Sequence, residues 1–339
     1  MCSALESLPL SSRVLYDGCP GGASFQIKQL IGVGSYGVVH MAANRQTGQH
    51  VAIKMEPKKD RKGSPVLYEA RVLAKIAGKR QKRGAVRSSS GHAAEHEASS
   101  MVPQVHWSGV AGDFNVMVMD LLGPTLQDMF TQQGRRYTWE LIARIGVQII
   151  DCVEFVHSRN FIHRDINPQN IVYSLHEDDR VQLIDFGFAK KFRNSSTKEH
   201  IACELNRPFL GNMDFASVNA HYGMQQSRRD DMESLGYVLL YLGTGDLPWM
   251  SRFLPDQDRL LWIKCFKSSL VEEELCQNAP KELAKFLKHC RKLSFEQPPD
   301  YAYLRRLMQR LAESRQHFED YNFVCDWAVL PVTPRQATC

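Results

Sequence analysis

Three observations predict an α+β fold in which a small β-rich part precedes a larger, mainly helical one. Short alternating and β-branched runs recur from Phe25 to about Asp120, the pattern of half-buried strands. From Trp139 the period lengthens: Leu141, Ile145, Ile149, Val153 and Val156 recur every three or four residues, as on one face of a long helix. Third, Gly32-Val33-Gly34-Ser35-Tyr36-Gly37-Val38-Val39 lies between the strand-like runs 25–31 and 50–55. A G-x-G-x-x-G opening a dinucleotide-binding unit needs a helix next and an acidic residue about 20 positions on. Here another strand follows, so the glycines serve a strand-to-strand turn.

Residues 1–24 read as a loose lead-in and 331–339 as a short tail, with one domain over 25–330 between them. Its small lobe is expected to span 25–120 and its helical lobe 121–330. Within the first, residues 65–76 form a helix whose Leu67, Ala70, Leu73 and Ala74 face the sheet while Glu69 reaches inward. Residues 78–100, rich in Ser, Ala, Gly and charge, fit neither lobe and read as a disordered insertion. Its run Lys79-Arg80-Gln81-Lys82-Arg83 reads as solvated loop or nuclear address. His92-Ala93-Ala94-Glu95-His96 has the letters of a zinc-hydrolase motif but neither a buried helix nor a third ligand, so metal catalysis is rejected there. Residues 114–120 make a last strand before the helical lobe. Residues 171–174 and 181–184 are two small strands, and the chain beyond Met224 is mainly helical in pattern.

Composition narrows the setting. Forty-three per cent of the 339 residues are apolar, enough for a substantial core. The nine cysteines include no C-x-x-C pair and no signal-like apolar run opens the chain, which points to the cytoplasm or nucleus. No apolar stretch is long enough to span a bilayer. Cys339 as last residue excludes a prenylation box, and Cys2 excludes myristoylation. A net charge of +5 is too small and dispersed to argue nucleic-acid binding, and a monomer is expected.

The residues that carry chemistry are ordered like the parts of a phosphoryl-transfer site. Glycines at 32, 34 and 37, with Ile31, Val33, Ser35, Tyr36, Val38 and Val39, let backbone N–H groups come close to phosphates. Val51-Ala52-Ile53-Lys54 supplies an ammonium for the α- and β-phosphates, with Glu69 as its partner. Val39 and Ala52 are candidates to sandwich adenine. Backbone groups of Asp120 and Leu122 would hydrogen-bond its edge, and Met119 lies behind it or is a plain core methionine. His163-Arg164-Asp165 with Asn170 five positions on, then Asp185-Phe186-Gly187, places a proton acceptor at Asp165 and metal ligands at Asn170 and Asp185.

This constellation resembles the protein kinases, and a finer match is visible downstream. An A-P-E ending is missing. Instead the chain reads Phe215-Ala216-Ser217-Val218-Asn219-Ala220-His221-Tyr222-Gly223, then Gln226-Ser227-Arg228-Arg229-Asp230-Asp231-Met232-Glu233-Ser234-Leu235-Gly236-Tyr237. With Leu121-Leu122-Gly123-Pro124, Asp246-Leu247-Pro248-Trp249, Pro299-Asp300-Tyr301 and Asp326-Trp327, these stretches resemble the casein kinase 1 family over about residues 25–330. The resemblance implies a bilobal kinase fold, ATP and Mg²⁺ as cofactors, protein Ser/Thr acceptors often near acidic or phosphorylated positions, and Asp231 accepting hydrogen bonds from the His163-Arg164 turn. Two departures stand out. Asn167 replaces the family's lysine beside the transferring phosphate, so slowed catalysis or a nucleotide-binding scaffold is the alternative to an ordinary kinase. Asp214 replaces an arginine of an anion-binding stretch, which would repel substrate phosphate, though Arg164, Lys190 and Arg207 with Glu204 nearby offer a separate anion pocket.

Overall fold

The computed structural model describes residues 14–15, 24–34, 37–58, 63–78, 101–175, 180–250 and 255–313. The expected lead-in, Ser35 and Tyr36, the insertion from 79 to 100, Asp326-Trp327 and the tail lie outside them. The described residues up to Gly123, together with Leu175, form one compact unit, and the others form a second.

The first unit is an antiparallel sheet. Its strands are β1 (Val14–Leu15), β2 (Phe25–Gly34), β3 (Gly37–Asn44), β4 (His50–Pro57), β5 (Val105–Ala111) and β6 (Phe114–Asp120), in the order β1-β2-β3-β4-β6-β5. Alternation gives each strand two faces. Val38, Val51, Ile53, Met55, Val116 and Val118 turn one way and pack with Phe25 and Ile27 into a core. The opposite parity carries the expected nucleotide residues, because register pairs Val39 with Lys54, and Ala52 with Met119. Helix α1 (Pro65–Ala77) starts where the Ser64 hydroxyl accepts the Leu67 N–H, with proline in its first turn. Its buried stripe is Val66, Glu69, Ala70, Val72, Leu73 and Ile76. Leu67 is only half-buried and Ala74 exposed, so the stripe is rotated from the expected one. A carboxylate inside an apolar stripe needs a partner, and Glu69 has one.

The second unit is helical. Its elements in chain order are α2 (Leu126–Gln132), α3 (Trp139–Ser158), β7 (Phe161–Ile162), β8 (Ile171–Tyr173), β9 (Val181–Leu183), β10 (Lys190–Lys191), α4 (Val218–His221), α5 (Arg228–Thr244), α6 (Asp256–Ser269), α7 (Glu272–Leu275), α8 (Lys281–Lys292) and α9 (Tyr301–Glu313). Every residue of α5 from Asp230 to Leu242 is buried, which makes it the central core helix. Helix α3 buries Ile142, Ile145, Ile149, Val153 and Val156, whereas Leu141 stays at the margin. Leu304, Leu307, Met308 and Leu311 of α9 complete its packing. Two short ladders, β7 with β10 and β8 with β9, are embedded here. No helix among the described residues is long and apolar enough to cross a membrane.

Candidate active site

In the sheet unit, Lys54 and Glu69 form a buried ion pair of 2.6 Å from Nζ to Oε2. Strand β4 fixes the lysine and α1 brings the acid. A buried charge is tolerated only when paired, so each side chain holds the other in one place. The β2–β3 ladder closes at the Gly34 and Gly37 pair. Gly37 has no alternative: a Cβ there would lie 2.1 Å from the Met55 carbonyl oxygen of β4. Gly32 is buried, while Ile31, Val33 and Val39 are half-buried. Ala52 is buried, and Met119 and Leu122 are half-buried. Asp120 departs from the simplest expectation: its N–H already donates to the Gln104 carbonyl, and its carboxylate accepts the Gln104 N–H. Any backbone contact it makes to a base cannot use that N–H.

In the helical unit, register brings the catalytic motifs together. Ile171 pairs with Leu183, so Asn170 and Ile184 sit at one end of the β8–β9 ladder and Asp185 follows immediately. The Ile184 N–H donates to the Asn170 carbonyl. Ile162 pairs with Lys190, which joins the chain entering His163 to the chain leaving the D-F-G stretch.

Asp165 lies at the focus. Its Oδ1 accepts from Asn167 Nδ2 at 3.0 Å and from the Asn212 N–H at 2.8 Å, and its Oδ2 accepts from Asn170 Nδ2 at 2.8 Å. Burial pushes its pKa up, and the Asp185 charge adds to this; the His163 side chain and the Asn212 and Asn167 hydrogen bonds oppose the rise. The result is a fixed carboxylate more basic than usual, a quality suited to accepting a proton. The Asp165 N–H donates to His163 Nδ1 and His163 Nε2 meets the Ile184 carbonyl, which assigns the proton to Nε2. Asn170 donates both to the Asp165 carbonyl and to its carboxylate through Nδ2, so its own side-chain oxygen takes no part in holding Asp165. Asp185 sits in the left-handed region at φ 62° and accepts the Gly187 N–H. For a non-glycine residue that backbone is uncommon.

Below this loop, Asp231 at the start of α5 accepts the His163 N–H at 2.7 Å and the Arg164 N–H at 2.8 Å. It also receives His157 Nε2 at 2.8 Å, and His157 Nδ1 in turn accepts from the Tyr301 hydroxyl at 2.6 Å. Burial would raise the Asp231 pKa, but these donors hold it below the ordinary value. His157 and Tyr301 are additions the motif spacing did not reveal.

Asp214 overturns one expectation. Both its oxygens accept from Arg259 Nη2 of α6, at 2.6 and 2.8 Å. The carboxylate is therefore neutralised within the protein and presents no free negative charge to a substrate. Arg164, Lys190 and Arg207 do gather: burial lowers the Lys190 pKa, and the charges of Arg164 and Arg207 lower it further while Glu204 opposes them. Lys190 Nζ donates to Gln225, and Arg207 is paired with Glu204. Lys191 instead donates to Ser195.

No group of three or more His, Cys, Asp or Glu among the described residues is arranged to hold a metal. One amide oxygen and one carboxylate match the needs of Mg²⁺, which keeps waters and borrows phosphate oxygens rather than occupying an all-protein cage. A hydrogen-bonded carboxylate at Asp165, Asn170 and Asp185 at one ladder end, and a buried Lys54–Glu69 pair behind glycine-bearing strands are the parts of a phosphoryl-transfer enzyme. The sequence agrees over the same span: residues 25–297 match the family model of the protein kinase domain, and the chain belongs to the protein kinase family.

Proposed function

We propose that the chain is an ATP-dependent Ser/Thr protein kinase of the casein kinase 1 type. The observation that carries this reading is the Asp165 carboxylate, fixed by Asn167, Asn170 and the Asn212 N–H. Asp165 takes the proton from the acceptor hydroxyl. Lys54, held by Glu69, binds the α- and β-phosphates, and Asn170 and Asp185 are the residues to hold Mg²⁺. When bound, that ion neutralises charge growing on the phosphoryl oxygens. Residues 31–39, Ala52, Met119, Asp120 and Leu122 form the proposed nucleotide contacts. Acidic or phosphorylated positions near the acceptor are read by Arg164, Lys190 and Arg207. The protein acts as a monomer in the cytoplasm or nucleus.

A second reading, a nucleotide-binding scaffold with little turnover, is favoured by Asn167. Its Nδ2 donates to Asp165 and its Oδ1 accepts the Gln169 N–H, so a neutral amide fills the place where the related kinases put a cation. One assay separates the two: labelled ATP with a mixed Ser/Thr peptide library, for wild type, Asp165→Asn and Asn167→Lys. Asp165→Asn is expected to abolish turnover and leave ATP affinity intact; persisting turnover sinks the assignment of the base. Asn167→Lys is expected to raise turnover at saturating ATP by up to ~10²-fold, the worth of one electrostatic contact to a transition state. No turnover in wild type or in Asn167→Lys, with ATP still bound, selects the scaffold.

A further inference from the structure

Lys267 of α6 is fully buried, a rare condition for lysine, and no step of phosphoryl transfer requires it. Its Nζ donates to three carbonyl oxygens: Ala216 at 2.6 Å, Asp214 at 2.9 Å and Met213 at 3.4 Å. The Tyr237 and Trp249 rings lie 4.5 and 4.6 Å away at their centroids, in reach of cation–π attraction. Trp249 Nε1 also donates to the Asp214 carbonyl. An ammonium has three N–H bonds and a neutral amine only two, so three converging acceptors select the charged form. Burial works against that charge and lowers the pKa; Glu233 and Asp214 support it, and Arg291 opposes it.

The carbonyls belong to residues 211–217, which lie in neither helix nor strand. Such a segment has no ladder to hold it and depends on outside donors. It is also the segment whose Asn212 N–H donates to Asp165 Oδ1 at 2.8 Å. At Gly211, φ is +101° and a Cβ would stand 2.6 Å from the Arg164 carbonyl oxygen, so the segment lies directly against the catalytic loop. A shift at 213–216 therefore reaches Asn212 and, through it, the carboxylate.

We propose that Lys267 is a positioning residue: by gathering the 213, 214 and 216 carbonyls it holds the Asn212 N–H on Asp165. The proposal rests on the kinase reading for its effect on rate, but not for its effect on the segment, and its test measures both. Lys267→Met keeps the length of the side chain and removes its donors. In the folded variant, judged by circular dichroism below its melting temperature, amide exchange across 211–217 is expected to rise at least about tenfold, with α3 amides unchanged. Turnover is expected to fall about 10- to 100-fold with KM for ATP unchanged, the scale of a misplaced catalytic group. Lys267→Gln, which restores one amide donor, is expected to lie between wild type and Met; it also stands in for the Met variant if that one does not fold. Unchanged exchange over 211–217 overturns the proposal, as does a rise in KM for ATP with turnover intact. An inactive wild type would sink the functional reading instead, and the exchange result would still judge Lys267.

Discussion

At the scale of single residues, charge at Asp214 shows how a substitution read from sequence changes meaning once its partner is known. A free carboxylate would repel a phosphate, but Arg259 covers it through both oxygens. Reversing the charge to arginine would set two guanidinium groups against each other. The informative change is Asp214→Ala, which leaves Arg259, about a quarter exposed, without its partner. Exposed charge pairs are worth about 0.2–1 kcal/mol, so a gain of roughly 1.4- to fivefold in preference for phosphoserine-bearing over plain peptides is expected, largest at low salt. Paired peptide assays on wild type and variant measure it. An identical ratio in the two proteins would show that Arg259 does not face the substrate.

At the scale of elements, the β2–β3 ladder and β4 are locked by Gly37. Any side chain there meets the Met55 carbonyl, so Gly37→Ala must pry β3 from β4 next to Lys54. ATP affinity is expected to fall at least about tenfold through loss of positioned phosphate contacts, while amide exchange in α5 stays as in wild type. Titration with nucleotide and exchange mapping of α5 check the two halves, and undiminished affinity would remove this ladder from the phosphate site.

Elements of this kind were legible because their signals are local. Glycine spacing, the β-branched run ending at Lys54, and the three- and four-residue period of α3 each follow from backbone sterics or from burial of one face. Glu69 was legible too, since an acid in an apolar stripe invites a buried cation. What escaped was non-local. The rotation of α1 that exposes Ala74 depends on the surface it meets, and the Asp120 N–H is taken by a residue sixteen positions back. The third donor on Asp165 is a backbone N–H, which no residue type announces. His157, Lys267 and Arg259 look like ordinary helix residues until the chain folds back on them.

For the whole molecule, the buried histidines make stability depend on pH in a direction that can be worked out. Burial lowers the His157 pKa even though Asp231 opposes it, and burial lowers that of His221 to about 3, with Lys267 adding to the effect. The unfolded chain protonates both below about 6.5, whereas in the fold His221 stays neutral well below that and His157 is shifted in the same direction. His221 therefore costs stability as pH falls below 6.5, at roughly 1.4 kcal/mol per pH unit, and His157 costs stability in the same direction. Asp230 acts the other way. Burial raises its pKa to about 6, so the fold takes up a proton that the unfolded chain accepts only near 3.8, and stability rises between those values as pH falls. Asp231, held low, adds stability that is constant above about pH 4 and is lost only in more acid solution, so it brings no pH dependence to this range. From pH 7.5 to 5 His221 loses about 2 kcal/mol of stability, His157 acts in the same direction, and Asp230 and Asp165, both raised by burial, offset part of the loss. His221→Asn keeps a donor for the Ser217 carbonyl that His221 Nδ1 now meets, but cannot take up a proton. Its acid-induced drop in melting temperature is expected to be smaller than that of wild type by roughly 4 °C, the worth of about 2 kcal/mol. Equal drops in the two proteins would mean that His221 is protonated in the fold, and the burial assigned to it would then be wrong.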